Sequence, residues 1–187
     1  MTDEIAKRLK VFERVLAEVP EIVYAGDPIL RRQTTEVSLA EGLAVAKRLE
    51  GVLRRYRAVT GAGRGLAAPQ IGESKSVFVI YMDEGIEAFL NPKIVEQSAT
   101  TNFFREMCLS SPLVAADVER PEWIVLEWTD KSGPRQRRKF DGLKARLYQH
   151  EEAHLRGRLN LDEAVPGGIQ FATFDPLKEQ PRKTLRA

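Results

Sequence analysis

Apolar side chains recur every three or four residues at the start of the chain, at Ile5, Leu9, Phe12, Leu16 and Val19. Residues at this spacing share one face of an α-helix, so the pattern predicts a helix that ends at Pro20. A packing helix is the simpler interpretation, and an amphipathic helix that serves a dimer is the alternative. We treat residues 1–25 as an N-terminal helical extension.

A second helical stripe follows, and both of its ends carry capping signals. Ser38 and Glu41 have the spacing of a capping box, which satisfies backbone N–H groups at a helix start. Gly61 is the residue type that most often ends a helix. The predicted buried side of this helix consists of Leu39, Leu43, Ala46, Leu53 and Tyr56.

The middle of the chain has the patterns of short strands. Residues 77–81 form an apolar run that suits a buried strand, and residues 93–98 are a second candidate. Residues 123–128 and 135–140 predict a hairpin with a longer loop. Residues 61–70 are rich in small side chains and predict a loop. They lack the Gly-Lys-Ser/Thr of a phosphate-binding loop, so their glycines more plausibly allow a close backbone approach.

The last predicted helix runs from about residue 143 to 156, and Gly157 is its stop signal. The order of elements predicts an α+β fold, with mostly antiparallel sheets packed around this C-terminal helix and two helices at the N-terminus. We expect one domain over residues 1–187. The pattern gives no structure for the tail, residues 160–187.

Composition narrows the classes of partner. Charged residues make up 30% of the chain, yet 29 basic and 27 acidic residues leave a net charge of only +2. Such a mixed balance argues against a nucleic-acid or membrane partner. The densest basic run, residues 135–139, is interpreted as a solvated strand face.

The single cysteine and the character of the first residues predict a cytoplasmic protein. One cysteine excludes an intramolecular disulfide framework and favours a reducing compartment. The chain has no apolar run of membrane-spanning length and no secretory signal pattern. Four acidic residues in the first twenty argue against a transit peptide, namely Asp3, Glu4, Glu13 and Glu18.

The candidate chemistry begins with a His-Glu-x-x-His pattern in the last helix. Both histidines of the chain are here, at His150 and His154. Residues four apart share one helix face, so both imidazoles can ligate one cation, and Glu151 lies close enough to touch its water. The alternative is a surface or core helix whose histidines have no metal.

A metal site of this class usually has a third protein ligand, and Cys108 is a candidate. It lies in a turn-rich segment between predicted strands, and a thiolate beside a dication is deprotonated. Two other roles stay open for Cys108. It could be a buried cysteine that acts as a small hydrophobic residue, or a nucleophile with a histidine partner.

Three motifs together resemble the peptide deformylase family. They are residues 63–70 (Gly-Arg-Gly-Leu-Ala-Ala-Pro-Gln), 106–110 (Glu-Met-Cys-Leu-Ser) and 149–155 (Gln-His-Glu-Glu-Ala-His-Leu). Residues 27–31 and 91–94 match as well, and the resemblance runs from about residue 26 to 159. A His-Glu-x-x-His pattern alone is moderately specific, whereas three motifs in this order are highly specific.

The resemblance implies a hydrolase that removes the N-formyl group from newly made peptides. Cys108, His150 and His154 would bind one divalent ion, typically iron(II), with zinc, nickel or cobalt able to replace it. Glu151 would transfer protons, while the Gln70 amide and the Leu109 backbone N–H would hold the oxyanion. Gly65, Arg64 and Met107 would contact substrate. The implied partners are N-formylmethionyl nascent chains, with the ribosome as one place of encounter.

The chain also departs from the family's pattern. Arg64 stands where Val or Ile is usual. Met107 replaces a glycine, and methionine would be strained if the φ at this position had to be positive. Ala153 replaces an aspartate. We expect that aspartate to pair with an arginine matching Arg120, so Arg120 needs another partner, for which Glu106 is the candidate.

Two alternatives to a deformylase stay open, and the departures at Arg64, Met107 and Ala153 motivate the first of them. One is a deformylase-like protein that keeps the metal and serves as a peptide-binding module. The other is a hydrolase that uses the same site on a different amide.

Overall fold

The computed structural model describes residues 2–82 and 85–172. The helices are α1 (Thr2–Glu18), α2 (Leu39–Thr60) and α3 (Gly142–Leu155), with short 3₁₀ helices at Pro28–Arg31, Ala68–Ile71 and Asn160–Glu163. The strands are β1 (Gly65–Ala67), β2 (Val77–Met82), β3 (Gly85–Gln97), β4 (Thr101–Met107), β5 (Val114–Pro121), β6 (Trp123–Thr129), β7 (Arg135–Asp141) and β8 (Ala164–Phe171).

The strands form two antiparallel sheets, and α3 contacts both of them. The larger sheet has the order β1-β2-β3-β6-β7, and the smaller has the order β4-β5-β8. This arrangement confirms the predicted α+β class, with antiparallel sheets around the motif helix and two helices that precede them. Within the described residues, no helix is long and apolar enough to cross a membrane.

The predicted helix ends are confirmed. The Ser38 side chain accepts a hydrogen bond from the backbone N–H of Glu41, and Gly61 ends α2 with a left-handed φ of 69°. Gly157 follows α3 with a φ of 74°. A glycine has no Cβ that would oppose these angles, so each helix stops where the sequence predicts.

The predicted buried side of α2 is wrong at its first turn. Leu39 and Leu43 are exposed at 40% and 36%, whereas Ala46, Leu53 and Tyr56 are buried. Gly42 faces inward instead, because a Cβ there would lie only 2.4 Å from Leu90 Cδ2. The face of α2 that carries this glycine therefore packs closest to the sheet.

The sequence pattern did not predict β4 or β5, and three further strands needed information beyond the local pattern. Part of the predicted loop 61–70 is strand β1, whose three residues are too few to show a period. Strand β3 begins at Gly85, well before residue 93, and the register shifts between Leu90 and Lys93. In the tail, residues 164–171 form β8 against β5. Residues 173–187 lie outside the described residues.

Two hydrophobic clusters cover opposite faces of the larger sheet. Val77 and Val79 of β2 pack with α1 and α2, while Phe78 and Ile80 pack with α3. Alternate residues of a strand point to opposite faces, so an unbroken apolar run is what a strand covered on both faces requires. The second cluster anchors α3 against the sheet and thereby fixes the position of its histidines.

The basic run in β7 is a solvated face, as the sequence predicts. Most of its residues are exposed. Arg135 and Arg137 form ion pairs with Glu127, and the Lys139 ammonium lies 3.9 Å from the centre of the Trp123 ring. The ion pairs with Glu127 offset part of the positive charge of the run.

Candidate active site

Helix α3 and the turn after β4 bring three metal-ligating side chains together. Cys108, His150 and His154 are all buried, and one ligand atom from each lies within 4.8 Å of the others. The Cys108 Sγ is 3.3 Å from His154 Nε2. The two imidazole rings, one helical turn apart, have centroids separated by 5.0 Å and planes at 83°. One cation can contact all three.

The chemistry of these donors fits a divalent transition metal. A thiolate with two imidazoles is a set that iron, zinc, nickel and cobalt accept. Burial lowers the pKa of His154 well below its usual range, and electrostatic repulsion from His150 lowers it further. The His154 ring is therefore neutral. Although burial lowers the pKa of His150, its hydrogen bonds with Cys108 and Glu106 raise it well above the usual range. The surroundings of His150 therefore favour positive charge, either as a proton on the ring or as a cation bound to it.

Glu106 orients one of the two imidazoles. Its Oε2 lies 2.9 Å from His150 Nδ1. A carboxylate accepts the Nδ1–H, so the tautomer leaves Nε2 without a proton and free to ligate. The Asn160 side chain donates to the Glu106 carbonyl at 3.2 Å, which ties the start of the tail to the same position.

Two guanidinium groups neutralise the buried Glu106 carboxylate. Arg120 donates to Oε1 at 2.7 Å and to Oε2 at 2.9 Å. Arg146 donates to Oε1 at 2.7 Å. Burial alone would raise the pKa of Glu106, but Arg120 together with the His150 hydrogen bond holds it well below the usual range. The carboxylate is therefore ionised and can accept these hydrogen bonds.

Gln70 is held with its amide nitrogen toward the thiol. Its Oε1 accepts a hydrogen bond from the Ala67 backbone N–H at 2.8 Å. Its Nε2 lies 3.4 Å from Cys108 Sγ and 3.2 Å from Ser110 Oγ. Because the oxygen is occupied within its own 3₁₀ turn, the donor end of the amide faces the site.

Glu151 is buried next to the backbone of Gly65. Its side chain is only 3% exposed, and its Oε2 has no hydrogen-bond partner among the described residues. Burial raises the pKa of Glu151 to about 7, where a carboxyl group can both accept and release a proton at neutral pH. A Cβ on Gly65 would lie 2.1 Å from Glu151 Oε1. The glycine therefore makes room for this carboxylate.

The other predicted site residues are chain neighbours of Cys108 and Gly65. Leu109 follows Cys108 and packs against the first hydrophobic cluster. Arg64 precedes β1 and is half-buried, and its carbonyl accepts a hydrogen bond from the Tyr81 N–H. Met107 ends β4. Among described residues other than glycine, only Asn91 has a positive φ, so Met107 carries no left-handed strain.

The partner expected for Arg120 is confirmed. Ala153 is buried and has no polar side chain, and Arg120 pairs with Glu106. Arg120 also pairs with Glu163 at 2.7 Å. Glu152, the acidic neighbour of Ala153, pairs instead with Arg156, the residue that follows the end of α3.

Sequence reasoning missed Arg146. Its side chain is buried and touches Glu106, although the sequence shows only an arginine within a mixed helix. One signal was available, because Arg146 lies four residues before His150 and eight before His154, on the same helix face. A charged residue on the ligand face of a buried helix needs a buried partner.

The segment after α1, at Val23 and Ala25, forms hydrogen bonds with two parts of the site. The Val23 N–H donates to the Gln70 carbonyl, and the Ala25 N–H donates to the Ser110 carbonyl, both at 2.8 Å. These bonds link the N-terminal region to the elements on either side of Cys108. The sequence pattern, which treats residues 1–25 as an extension, gave no sign of this contact.

The chain is similar to known peptide deformylases. Residues 19–168 match the family model described as polypeptide deformylase. The peptide deformylase of Pseudothermotoga lettingae is 34% identical over 169 residues, which are 90% of this chain and 95% of the relative. The crystal structure of peptide deformylase from Thermotoga maritima matches with a TM-score of 0.71 at 34% identity, over 78% of this chain and 97% of that one. A peptide deformylase from Synechococcus elongatus in complex with actinonin matches with a TM-score of 0.69 at 36% identity, over 78% of each chain.

Proposed function

Because this chain belongs to the polypeptide deformylase family, it is a hydrolase that removes formyl groups from peptides, and we propose that its substrates are N-formylmethionyl nascent chains. The observation that carries the proposal is the convergence of Cys108, His150 and His154 beside a buried Glu151 with a free oxygen. A metal site with an adjacent carboxylate is the arrangement that hydrolysis of an amide requires.

Cys108, His150 and His154 are proposed to hold one divalent ion. The convergence of the Cys108 sulfur and the two imidazoles, together with the Glu106 hydrogen bond, supports this assignment. When bound, such an ion polarises the formyl carbonyl and activates a water at neutral pH. We propose iron(II) as the ion, with zinc, nickel or cobalt as possible replacements, because this donor set does not distinguish strongly among them.

Glu151 is proposed as the general base and then the general acid. Its carboxylate takes a proton from the attacking water and delivers it to the leaving amine of methionine. Its burial supports this role, because a pKa of about 7 matches both transfers at neutral pH. The products are formate and a peptide with a free N-terminus.

Gln70 and Leu109 are proposed to donate hydrogen bonds to the formyl oxygen as negative charge develops on it. The fixed Gln70 amide supports this role, since its Nε2 faces the thiol and needs no reorientation during the reaction. Removal of one such donor costs about 3 kcal/mol in the transition state.

Gly65, Arg64 and Met107 are proposed to contact the substrate. Arg64 and Gly65 come shortly before Gln70 in the chain, and Met107 directly precedes Cys108, which supports positions beside the bound peptide. Gly65 also has the second task of accommodating Glu151. The proposed setting is the cytoplasm, where nascent chains emerge from ribosomes and a lone cysteine stays reduced.

Formate release from a formyl-Met tripeptide tests the proposal. The protein is loaded anaerobically with iron(II) and compared on formylated, acetylated and unmodified versions of one peptide. We expect a strong preference for the formyl group and loss of turnover in Glu151→Ala with the metal retained. Equal cleavage of other amides would favour a different hydrolase, and binding without turnover would favour a peptide-binding module.

A further inference from the structure

Arg146 has no role in the reaction described above, yet it is 7% exposed and lies one helical turn before His150. We propose that Arg146 is a positioning residue that holds Glu106 in the orientation that aligns His150 for metal binding. The inference rests on the proposed function, since it assumes that His150 is a ligand.

The first support is the geometry around the carboxylate. Residues four apart on a helix lie above one another, so Arg146 and His150 both face Glu106 of β4. Arg146 Nη1 reaches Oε1 at 2.7 Å, and His150 Nδ1 reaches Oε2 at 2.9 Å. The carboxylate thus bridges one turn of α3, and rotation about its last bond would break both contacts.

The second support is the anchoring of Arg146 itself. Its Nη1 also lies 3.2 Å from the Val118 carbonyl, and its Nη2 donates to the carbonyl and the side-chain oxygen of Asn102 at 2.8 and 2.6 Å. The guanidinium carbon is 4.7 Å from the centre of the Phe104 ring. These contacts hold the guanidinium against β4 and β5 independently of its contact with Glu106.

The third support is that Arg120 is shared with a second carboxylate. It contacts both oxygens of Glu106 and also Glu163, so its position depends on the 3₁₀ turn after α3. Arg146 contacts Glu106 alone among the described carboxylates. Glu163 also pairs with Arg158 at 3.5 Å. The buried Glu106 carboxylate, in contrast, loses one of its two guanidinium partners if Arg146 is removed.

The consequence concerns the affinity for the metal. A carboxylate that accepts the Nδ1–H of a ligating histidine fixes the ring, and loss of such a partner typically costs about 10–100-fold in affinity. Arg146 acts one step further out, through Glu106. We therefore expect its removal to cost about tenfold in affinity, at the lower end of that range.

Cobalt(II) binding to the full-length chain tests this inference without any measurement of turnover. The thiolate-to-cobalt absorption band is titrated against a competing chelator in wild type, Arg146→Met and Arg146→Lys. The matched control is Arg105→Met, which removes a two-bond pair with Asp117 at 2.8 and 3.0 Å from the opposite face of β4. Circular dichroism establishes that each variant is folded.

We expect Arg146→Met to bind cobalt(II) about tenfold more weakly, with a shifted absorption band. Arg146→Lys, which keeps one charged donor, should recover part of the affinity, and Arg105→Met should bind as wild type. Equal weakening in Arg105→Met and Arg146→Met would indicate a general loss of stability and overturn the inference. Unchanged affinity in a folded Arg146→Met would also overturn it.

If Arg146→Met fails to fold, the cobalt(II) affinity of Arg146→Lys tests the inference. A measurable loss of affinity would support it, and wild-type affinity would overturn it. The proposed function fails by a different result. If the wild-type chain shows no thiolate-to-cobalt band at all, the three residues do not form the proposed metal site, whatever the variants do.

Discussion

Gly65 and Glu151 come from different elements and share one small space. A Cβ at position 65 would lie within 2.8 Å of three atoms of the Glu151 side chain. Gly65 does not have a positive φ, so alanine would be acceptable to the backbone there. The need for glycine therefore comes from the carboxylate and not from the chain conformation.

Gly65→Ala should consequently act like a mutation of Glu151. The new methyl group displaces the carboxylate, and we expect kcat to fall about 100-fold or more, the usual contribution of a general base. Metal content should stay at the wild-type level. Steady-state kinetics with metal analysis is the measurement. Wild-type kcat in a folded Gly65→Ala would show that Glu151 does not need its present position.

Gln70→Ala tests the proposed oxyanion donor. Loss of the amide should lower kcat about 100–1000-fold with little change in metal content, because the donor acts on charge that develops in the transition state. Ser110→Ala is the matched control, since it removes the other group within reach of Gln70 Nε2 and leaves the amide in place. Equal losses in the two variants would contradict a specific role for Gln70.

At the residue scale, sequence reasoning works best where one motif contains the whole signal. The spacing of His150 and His154 follows from one helix, and the structure places their rings side by side. The roles of Gly65 and Arg146 depend on which elements meet in space. No local pattern reports that Gly65 faces Glu151 or that Arg146 faces Glu106.

At the scale of elements, α2 shows how one helix treats two glycines differently. Gly42 lies against the sheet, where a Cβ would be 2.4 Å from Leu90 Cδ2 and 2.7 Å from its Cγ. Gly51 lies two to three turns further along, and a Cβ there would meet only Arg55 Nη1 at 3.9 Å. Both glycines have equal helix propensity, so packing alone separates them.

Alanine at these two positions should change stability in opposite directions. Gly42→Ala overpacks a tight contact and should lower the free energy of unfolding by about 1–3 kcal/mol. Gly51→Ala should raise it by about 0.5–1 kcal/mol, because alanine loses less conformational entropy than glycine in a helix. Urea unfolding curves give both values. A stabilised Gly42→Ala would contradict the close contact between α2 and Leu90.

Helices and strands with a hydrophobic period in their own sequence were predictable. Strands that form only because they pair with another strand were not. Helix α3 and the hairpin β6–β7 match the sequence pattern to within two residues. Strand β1 has three residues and exists because it pairs with β2. Strand β8 contains Pro166, Gly167 and Gly168, which indicate a turn locally, yet it pairs with β5. Pairing across the chain overrides these local preferences.

At the scale of the whole molecule, the site lies where three parts of the chain meet. The larger sheet supplies Gln70 next to β1, the smaller sheet supplies Glu106 and Cys108, and α3 supplies both histidines. The segment after α1 holds two of these parts through Val23 and Ala25. Because Cys108 and the two histidines come from distant positions, bound metal should resist the separation of α3 from the smaller sheet.

Metal removal should therefore lower the stability of the whole fold. A ligand present at 100 times its dissociation constant stabilises the native state by about 2.7 kcal/mol if it does not bind the unfolded chain. We expect a chelator to remove a contribution of about this size from the unfolding free energy. Cys108→Ser should show much less response to the chelator. An equal response in wild type and Cys108→Ser would contradict a metal site that includes this thiolate.

We propose that one sulfur and two imidazole nitrogens, from Cys108, His150 and His154, bind a single ion. X-ray absorption spectroscopy of the zinc-loaded protein measures this directly. We expect one sulfur at about 2.3 Å and two imidazole nitrogens at about 2.0–2.1 Å from the metal, with the sulfur lost in Cys108→Ser. A wild-type spectrum with only nitrogen and oxygen around the zinc would contradict it.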